Sequence, residues 1–77
     1  MPRLPRVSGK RVIAALERLG FAQVRSRGSH VVMARSMPAQ ERVICVVPLH
    51  AEVAVGTLRG ILRQADLSPA EFIKALQ

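Results

Sequence analysis

Apolar positions along this chain recur first at helical spacing, then at strand spacing, then at helical spacing again, and these changes of period mark its elements. Val12, Ile13, Leu16 and Leu19 form one helical stripe. Ser8 precedes it as an N-cap and Gly20 follows as a C-terminal stop, while Lys10, Arg11 and Arg18 fall mostly off the stripe. Phe21–Arg27 and His30–Arg35 read as two strands, and the Gly28–Ser29 link fits a type II′ turn with glycine first. Arg42–Val47 reads as a third strand after the polar loop Ser36–Glu41, Pro48 ends it, and His50 lies in a loop reaching Val55. Gly56 and Thr57 introduce a helix with Leu58, Ile61, Leu62 and Ala65 on its apolar face and Arg59 and Arg63 on its polar side. Ser68, Pro69 and Glu71 supply an N-cap, an N1 proline and a capping-box glutamate for a last short helix packing through Phe72, Ile73 and Leu76. The order predicts an α+β fold: helix, three-stranded antiparallel sheet, two helices, in a single domain spanning residues 1–77. Met1–Val7, with Pro2 and Pro5, is an irregular basic lead-in whose Arg3 and Arg6 either touch phosphates or keep the segment soluble.

A tight first turn pairs Arg27 with His30 and Arg25 with Val32, all on one face of the sheet. Alternation then sends Val24, Val31 and Met33 to the opposite face, toward the helices, and a one-residue change of register would reverse the assignment. The third strand is apolar on both faces, with Val43, Cys45 and Val47 alternating with Ile44 and Val46. If helices cover one face, three readings remain open for the other: a partner protein, a self-association surface making a homo-oligomer, or a strand that is simply the middle one of a small sheet.

Composition narrows the partners. A chain of 77 residues has a small core, and twelve Lys plus Arg against five Asp plus Glu give a net charge of +7. That balance favours nucleic acid or another polyanion over a generically solvated basic surface, and arginine, ten of the twelve, forks onto phosphate better than lysine. Two phenylalanines, with no Tyr or Trp, leave no stacking platform for single-strand readers, so recognition through shape and phosphate is expected. Cys45 stands alone in an apolar run, which fits a buried inert thiol in a reducing cytoplasm. No apolar stretch approaches the roughly 18 residues of a membrane span, and the expectation is a soluble, cytoplasmic protein.

The candidate chemistry centres on Gly28–Ser29–His30. His30 follows the basic run Arg25–Ser26–Arg27 and precedes an apolar strand. Histidine exchanges protons near neutral pH. Among cations it suits proton transfer on a polyanion such as RNA, whose 2′-hydroxyl is its own nucleophile; the alternative is a half-exposed strand residue after a hairpin turn. A zinc site of His30, His50 and Cys45 has no short ligand spacing, and the five carboxylates, Glu17, Glu41, Glu52, Asp66 and Glu71, are too scattered for a two-metal centre, so no metal or other cofactor is expected.

Ser8-Gly9-Lys10, Gly20-Phe21, Gly28-Ser29-His30, Val47-Pro48-Leu49-His50 and the run Gly56–Ala65, taken in this order and spacing, resemble the HicA (YcfA-like) family of bacterial toxins over about Ser8 to Leu76. The resemblance implies a fold similar to a double-stranded-RNA-binding domain, with helices packed on one face of the sheet. It implies the activity of an mRNA interferase, a ribosome-independent endoribonuclease, with His30 as the catalytic histidine, and neutralisation by a HicB-like antitoxin encoded beside it. The chain departs from the family pattern at Asp66, where a glycine often closes the helix; aspartate tolerates the left-handed conformation at modest cost. Within this reading His30 removes the 2′-hydroxyl proton and Arg25 and Arg27 hold the phosphate, against an alternative of plain docking or solvated charge. Ser29 either donates to the phosphate or only forms the turn, and Lys10 joins the RNA contacts. His50 is either a second acid/base group or a loop residue with a local hydrogen bond. A non-catalytic RNA-binding module of the same fold is the competing reading.

Overall fold

A computed structural model describes residues 3–36, 38 and 41–77. Its elements are α1 (Gly9–Arg18), β1 (Ala22–Arg27), β2 (His30–Arg35), β3 (Val43–Pro48), α2 (Val55–Gln64) and α3 (Pro69–Leu76). This is the expected α+β order, with one antiparallel three-stranded sheet. Met1 and Pro2 of the lead-in, and residues 37, 39 and 40 of the loop expected over Ser36–Glu41, lie outside the described residues.

The first helix forms because both ends are chemically closed. Ser8, in extended conformation, accepts the Arg11 N–H on its Oγ at 3.2 Å. At the other end Gly20, at φ 95°, lets Phe21 N–H reach the Leu16 carbonyl and Gly20 N–H the Glu17 carbonyl, a Schellman closure with Phe21 and Leu16 both buried. Arg35 of β2 completes it, donating from Nη1 to the Leu19 carbonyl at 2.8 Å with its guanidinium 4.8 Å from the Phe21 ring centre. Its Nε is buried without a partner, so the carbonyl and the ring hold the group in place. Val12, Ile13, Ala15 and Leu16 face the core, each large side chain contributing about 1.5–3 kcal/mol by leaving water.

The second and third helices follow the same logic with different residues. The α2 helix begins at Val55, ahead of the expected Gly56–Thr57 entry, after Ala54, which makes no side-chain cap bond. Val53 decides that entry point: it is fully buried and its N–H donates to the Val7 carbonyl at 2.7 Å. The same contact draws in the lead-in, whose Leu4 and Val7 belong to the core, so this segment is irregular yet packed. Asp66 closes α2 at φ 56°, with Leu67 N–H on the Leu62 carbonyl and Asp66 N–H on the Arg63 carbonyl. Ser68 caps α3 by accepting the Glu71 N–H, which is one half of the capping box; no bond back from the Glu71 side chain is seen among the described residues. Phe72 is fully buried, and Arg18 Nη1 donates to the Ala75 carbonyl at 2.7 Å, tying α1 to α3.

In the sheet, β2 is the middle strand and β3 an edge, which removes the reading of the third strand as the central one. Val31 and Met33 of β2 pair with Val47 and Cys45 of β3, and all four are buried beneath the helices. The β1 strand is exposed at all six positions because the helices pack over β3 and each other and leave it uncovered. Its register slips between Gln23 and Arg25, so Val24 is the extra residue of a bulge. The expectation that Val24 joins Val31 and Met33 toward the helices therefore fails, and Val24 is 47% exposed. The β3 strand runs through Pro48, one residue further than expected, which an edge strand permits because the missing N–H faces away from the ladder.

The left-handed backbone at Asp66 carries a cost that glycine would not. Asp66→Gly is expected to raise stability by up to about 1 kcal/mol, read as a higher denaturant midpoint at unchanged slope.

Candidate functional site

The Gly28–Ser29 turn ends the sheet on open ground. Gly28 adopts φ 59°, a conformation that favours glycine, and a Cβ there would meet nothing within 4 Å. Ser29 is not at positive φ, in keeping with the expected type II′ turn. Arg27 pairs with His30 and Arg25 with Val32, as anticipated, so His30 and both arginines share the face turned away from the helices. Directly opposed side chains on such a pair start about 4.5–5.5 Å apart at Cβ. His30, Arg25, Arg27 and Ser29 are all exposed.

Two backbone hydrogen bonds then gather the remaining candidates at this end. Leu49 N–H donates to the Ser29 carbonyl at 2.6 Å, and Gly9 N–H donates to the His50 carbonyl at 2.9 Å. The β2 entry at His30 also pairs with Pro48. Thus the segments bearing Lys10, Ser29, His30 and His50 meet, although they are far apart in sequence. Lys10 and Arg11 stand exposed in the first turn of α1, where no acidic residue balances them. Cations at a helix N-terminus oppose its dipole, so this arrangement costs helix stability and concentrates positive potential.

Little inside the molecule neutralises that potential. Among the described residues the one ion pair joins Arg6 and Glu52 at 3.7 Å, both well exposed and so of small energetic weight. Beside the basic β1 side, the same open face carries apolar side chains from β3: Ile44 is 47% and Val46 38% exposed, with Val32 half-buried between the strands. With Val24 and the neighbouring Leu49, these are the exposed large hydrophobic residues of the described chain. A basic half and an apolar half therefore adjoin on one surface.

Cys45 is not part of it. It points into the core beneath the helices, and burial pushes its thiol up to about 11, which keeps it protonated and inert. His30 lies on the other face, and among the described residues no three His, Cys, Asp or Glu side chains converge as metal ligands, so the donor set imagined for zinc is not assembled. No described helix is long and apolar enough to cross a membrane.

The family model described as the HicA toxin of bacterial toxin–antitoxin systems matches residues 9–67. The chain belongs to the HicA family. No curated protein matches it. Membership implies a cognate antitoxin partner, and the matched span of this HicA chain contains Lys10, Arg25, Arg27, Ser29, His30 and His50. The α3 helix falls outside that span but supplies the fully buried Phe72.

Sequence reasoning placed Gly9 in a motif without finding its role. A Cβ on Gly9 would lie 2.1 Å from the Pro48 carbonyl oxygen, so only glycine lets α1 approach the end of β3. The signal that could have found it was a glycine at the first helical position directly after a good N-cap, where glycine has no advantage in propensity. Inside an ordinary helix Gly→Ala gains about 1 kcal/mol. Here Gly9→Ala is expected to lose about 1–3 kcal/mol through overpacking, measured by urea unfolding, and to displace the His50 segment from Ser29, measured as amide shift changes at both.

Proposed function

We propose that this HicA-family chain is a metal-independent endoribonuclease that cleaves mRNA through His30 and the RNA 2′-hydroxyl. The observation that carries the reading is an exposed imidazole directly across the ladder from Arg27, on a basic surface where no carboxylate is paired to it among the described residues. His30 takes the 2′-hydroxyl proton as the 2′-oxygen attacks the adjacent phosphorus; the new O2′–P bond forms and the P–O5′ bond breaks. Arg27 and Arg25 hold the phosphate and offset the charge that grows on its oxygens. The leaving 5′-oxygen needs a proton, and His50, brought to the same end by the Leu49–Ser29 and Gly9–His50 bonds, is the candidate donor. The products are a 2′,3′-cyclic phosphate and a free 5′-hydroxyl. Lys10 steers and binds the flanking backbone, and Ser29 serves mainly to form the turn.

The antitoxin is proposed to cover the same face. Its apolar half, Ile44 and Val46, offers the desolvated centre that a stable interface needs, and Arg25, Arg27 and His30 offer a rim for acidic side chains. One bound protein would thus bury the catalytic histidine and exclude RNA.

Purified His30→Ala protein is expected to bind RNA as before and to cleave it about 10²- to 10⁴-fold more slowly. Wild-type protein should cut in excess EDTA and should fail on a substrate with a single 2′-deoxy substitution at the cleaved position. RNA retarded in a gel but never cut would favour the non-catalytic module, and cleavage abolished by EDTA would overturn the proposed chemistry.

Ile44→Lys with Val46→Lys, changes that an exposed edge strand accommodates, should weaken the antitoxin complex at least about tenfold, the scale of losing central interface anchors, while leaving RNA cleavage by the free chain intact. Calorimetric titration with the co-encoded protein checks the affinity.

A further inference from the structure

A second basic surface lies away from the His30 end. A groove of about 1330 Å³ runs between the lead-in, α2 and the start of α3, and Arg3, Arg59 and Arg63 line it. Arg59 and Arg63 are four residues apart on one exposed helical face, where like charges destabilise a helix by a few tenths of a kcal/mol. None of the three forms an ion pair among the described residues, although Asp66 and Glu71 also line the groove. Those carboxylates have other places in the fold: Asp66 sits in the left-handed closure of α2, and Glu71 occupies the first turn of α3, where a negative charge suits the helix dipole. The apolar floor, Leu4, Leu62 and Leu67, is already buried to within 7% or less. Beside apolar side chains the groove presents three guanidinium forks that no carboxylate holds in an ion pair among the described residues, and such forks match phosphate oxygens.

We propose that this groove is a second phosphate-binding site, in which Arg3, Arg59 and Arg63 hold the RNA backbone on one flank of the segment cut at His30. The inference rests on the RNA reading of the His30 end. The ligand is the phosphodiester backbone of a single strand, bound without regard to base, and the groove shares no lining residue with the His30 site. A strand long enough to occupy both surfaces binds more tightly than one that reaches only the first, so substrate length becomes a determinant of KM.

The test compares the full chain with an Arg3→Gln, Arg59→Gln, Arg63→Gln variant on two substrates, a trinucleotide and a strand of about twenty nucleotides, longer than a typical single-strand site. The variant is expected to cleave the trinucleotide as wild type does. For the long strand its KM should rise at least about tenfold at unchanged kcat, and its log–log salt dependence should flatten by about two, at roughly 0.7 per lost single-strand phosphate contact. Asp66→Asn, which keeps a residue tolerant of left-handed backbone and removes a negative charge from the groove, should tighten the long strand alone; this second variant decides the matter if the triple one misfolds. Unchanged KM and salt slope on the long strand would overturn the proposal, including the case in which the substitutions weaken only the antitoxin complex. If wild type cleaves neither substrate, the ribonuclease reading fails by itself. Fluorescence anisotropy of the long strand then still judges the groove, with lost affinity supporting it and unchanged affinity overturning it.

Discussion

The candidate site depends on a backbone contact that side chains do not make: the start of α1 lies against the end of β3, with Gly9 N–H on the His50 carbonyl and the Pro48 carbonyl occupying the space of an absent Cβ. One residue along, Leu49 N–H holds the Ser29 carbonyl at the β1–β2 turn. These two bonds close loops between residues 9 and 50 and between 29 and 49, so their entropic cost must be met by packing elsewhere. It is met beneath the sheet, where Val12, Leu16, Met33, Val47 and Phe72 are all fully buried. The position of an exposed histidine is thus set by a core that it does not touch.

Helix coverage of the sheet is uneven, and function follows from that. The helices bury the inner faces of β2 and β3 but leave β1 exposed throughout, so β1 is free to carry Arg25 and Arg27 without desolvating them. An uncovered edge invites unwanted strand pairing. Here the bulge at Val24 and the flanking arginines blunt it, while at the opposite edge Gln64 Oε1 accepts the outward Val46 N–H at 3.4 Å and Pro48 has no N–H to offer. Both edges thus carry features that disfavour strand pairing, and the open face keeps Ile44 and Val46 exposed.

The helix ends use one closure twice with different residues. Gly20 with Phe21 on Leu16, and Asp66 with Leu67 on Leu62, are the same hydrogen-bond pattern with a buried hydrophobic pair behind each. At the second, a strained aspartate takes the place of an unstrained glycine, and it also adds a carboxylate to the arginine-lined groove. At the first, Arg35 joins the closure from the sheet side, giving one basic residue of this +7 chain a structural rather than an electrostatic task.

By itself the sequence determined the element order, the caps at Ser8 and Ser68, the Gly28–Ser29 turn and the pairing of Arg27 with His30, because each rests on interactions within a few residues. It also determined the family, through short motifs whose order and spacing are local to the chain. Only the tertiary structure decided that β2 lies in the middle, that Val24 is expelled by a bulge, that Leu4 and Val7 join the core and that Gly9 must be glycine. The meeting of Lys10 and His50 with the Ser29–His30 turn, and of Arg3 with Arg59 and Arg63, belongs to the same class. The reason is physical: periodicity reports which face of an element is apolar, but which elements lie side by side is settled by competition for one buried core, and that energy depends on residues distant in sequence.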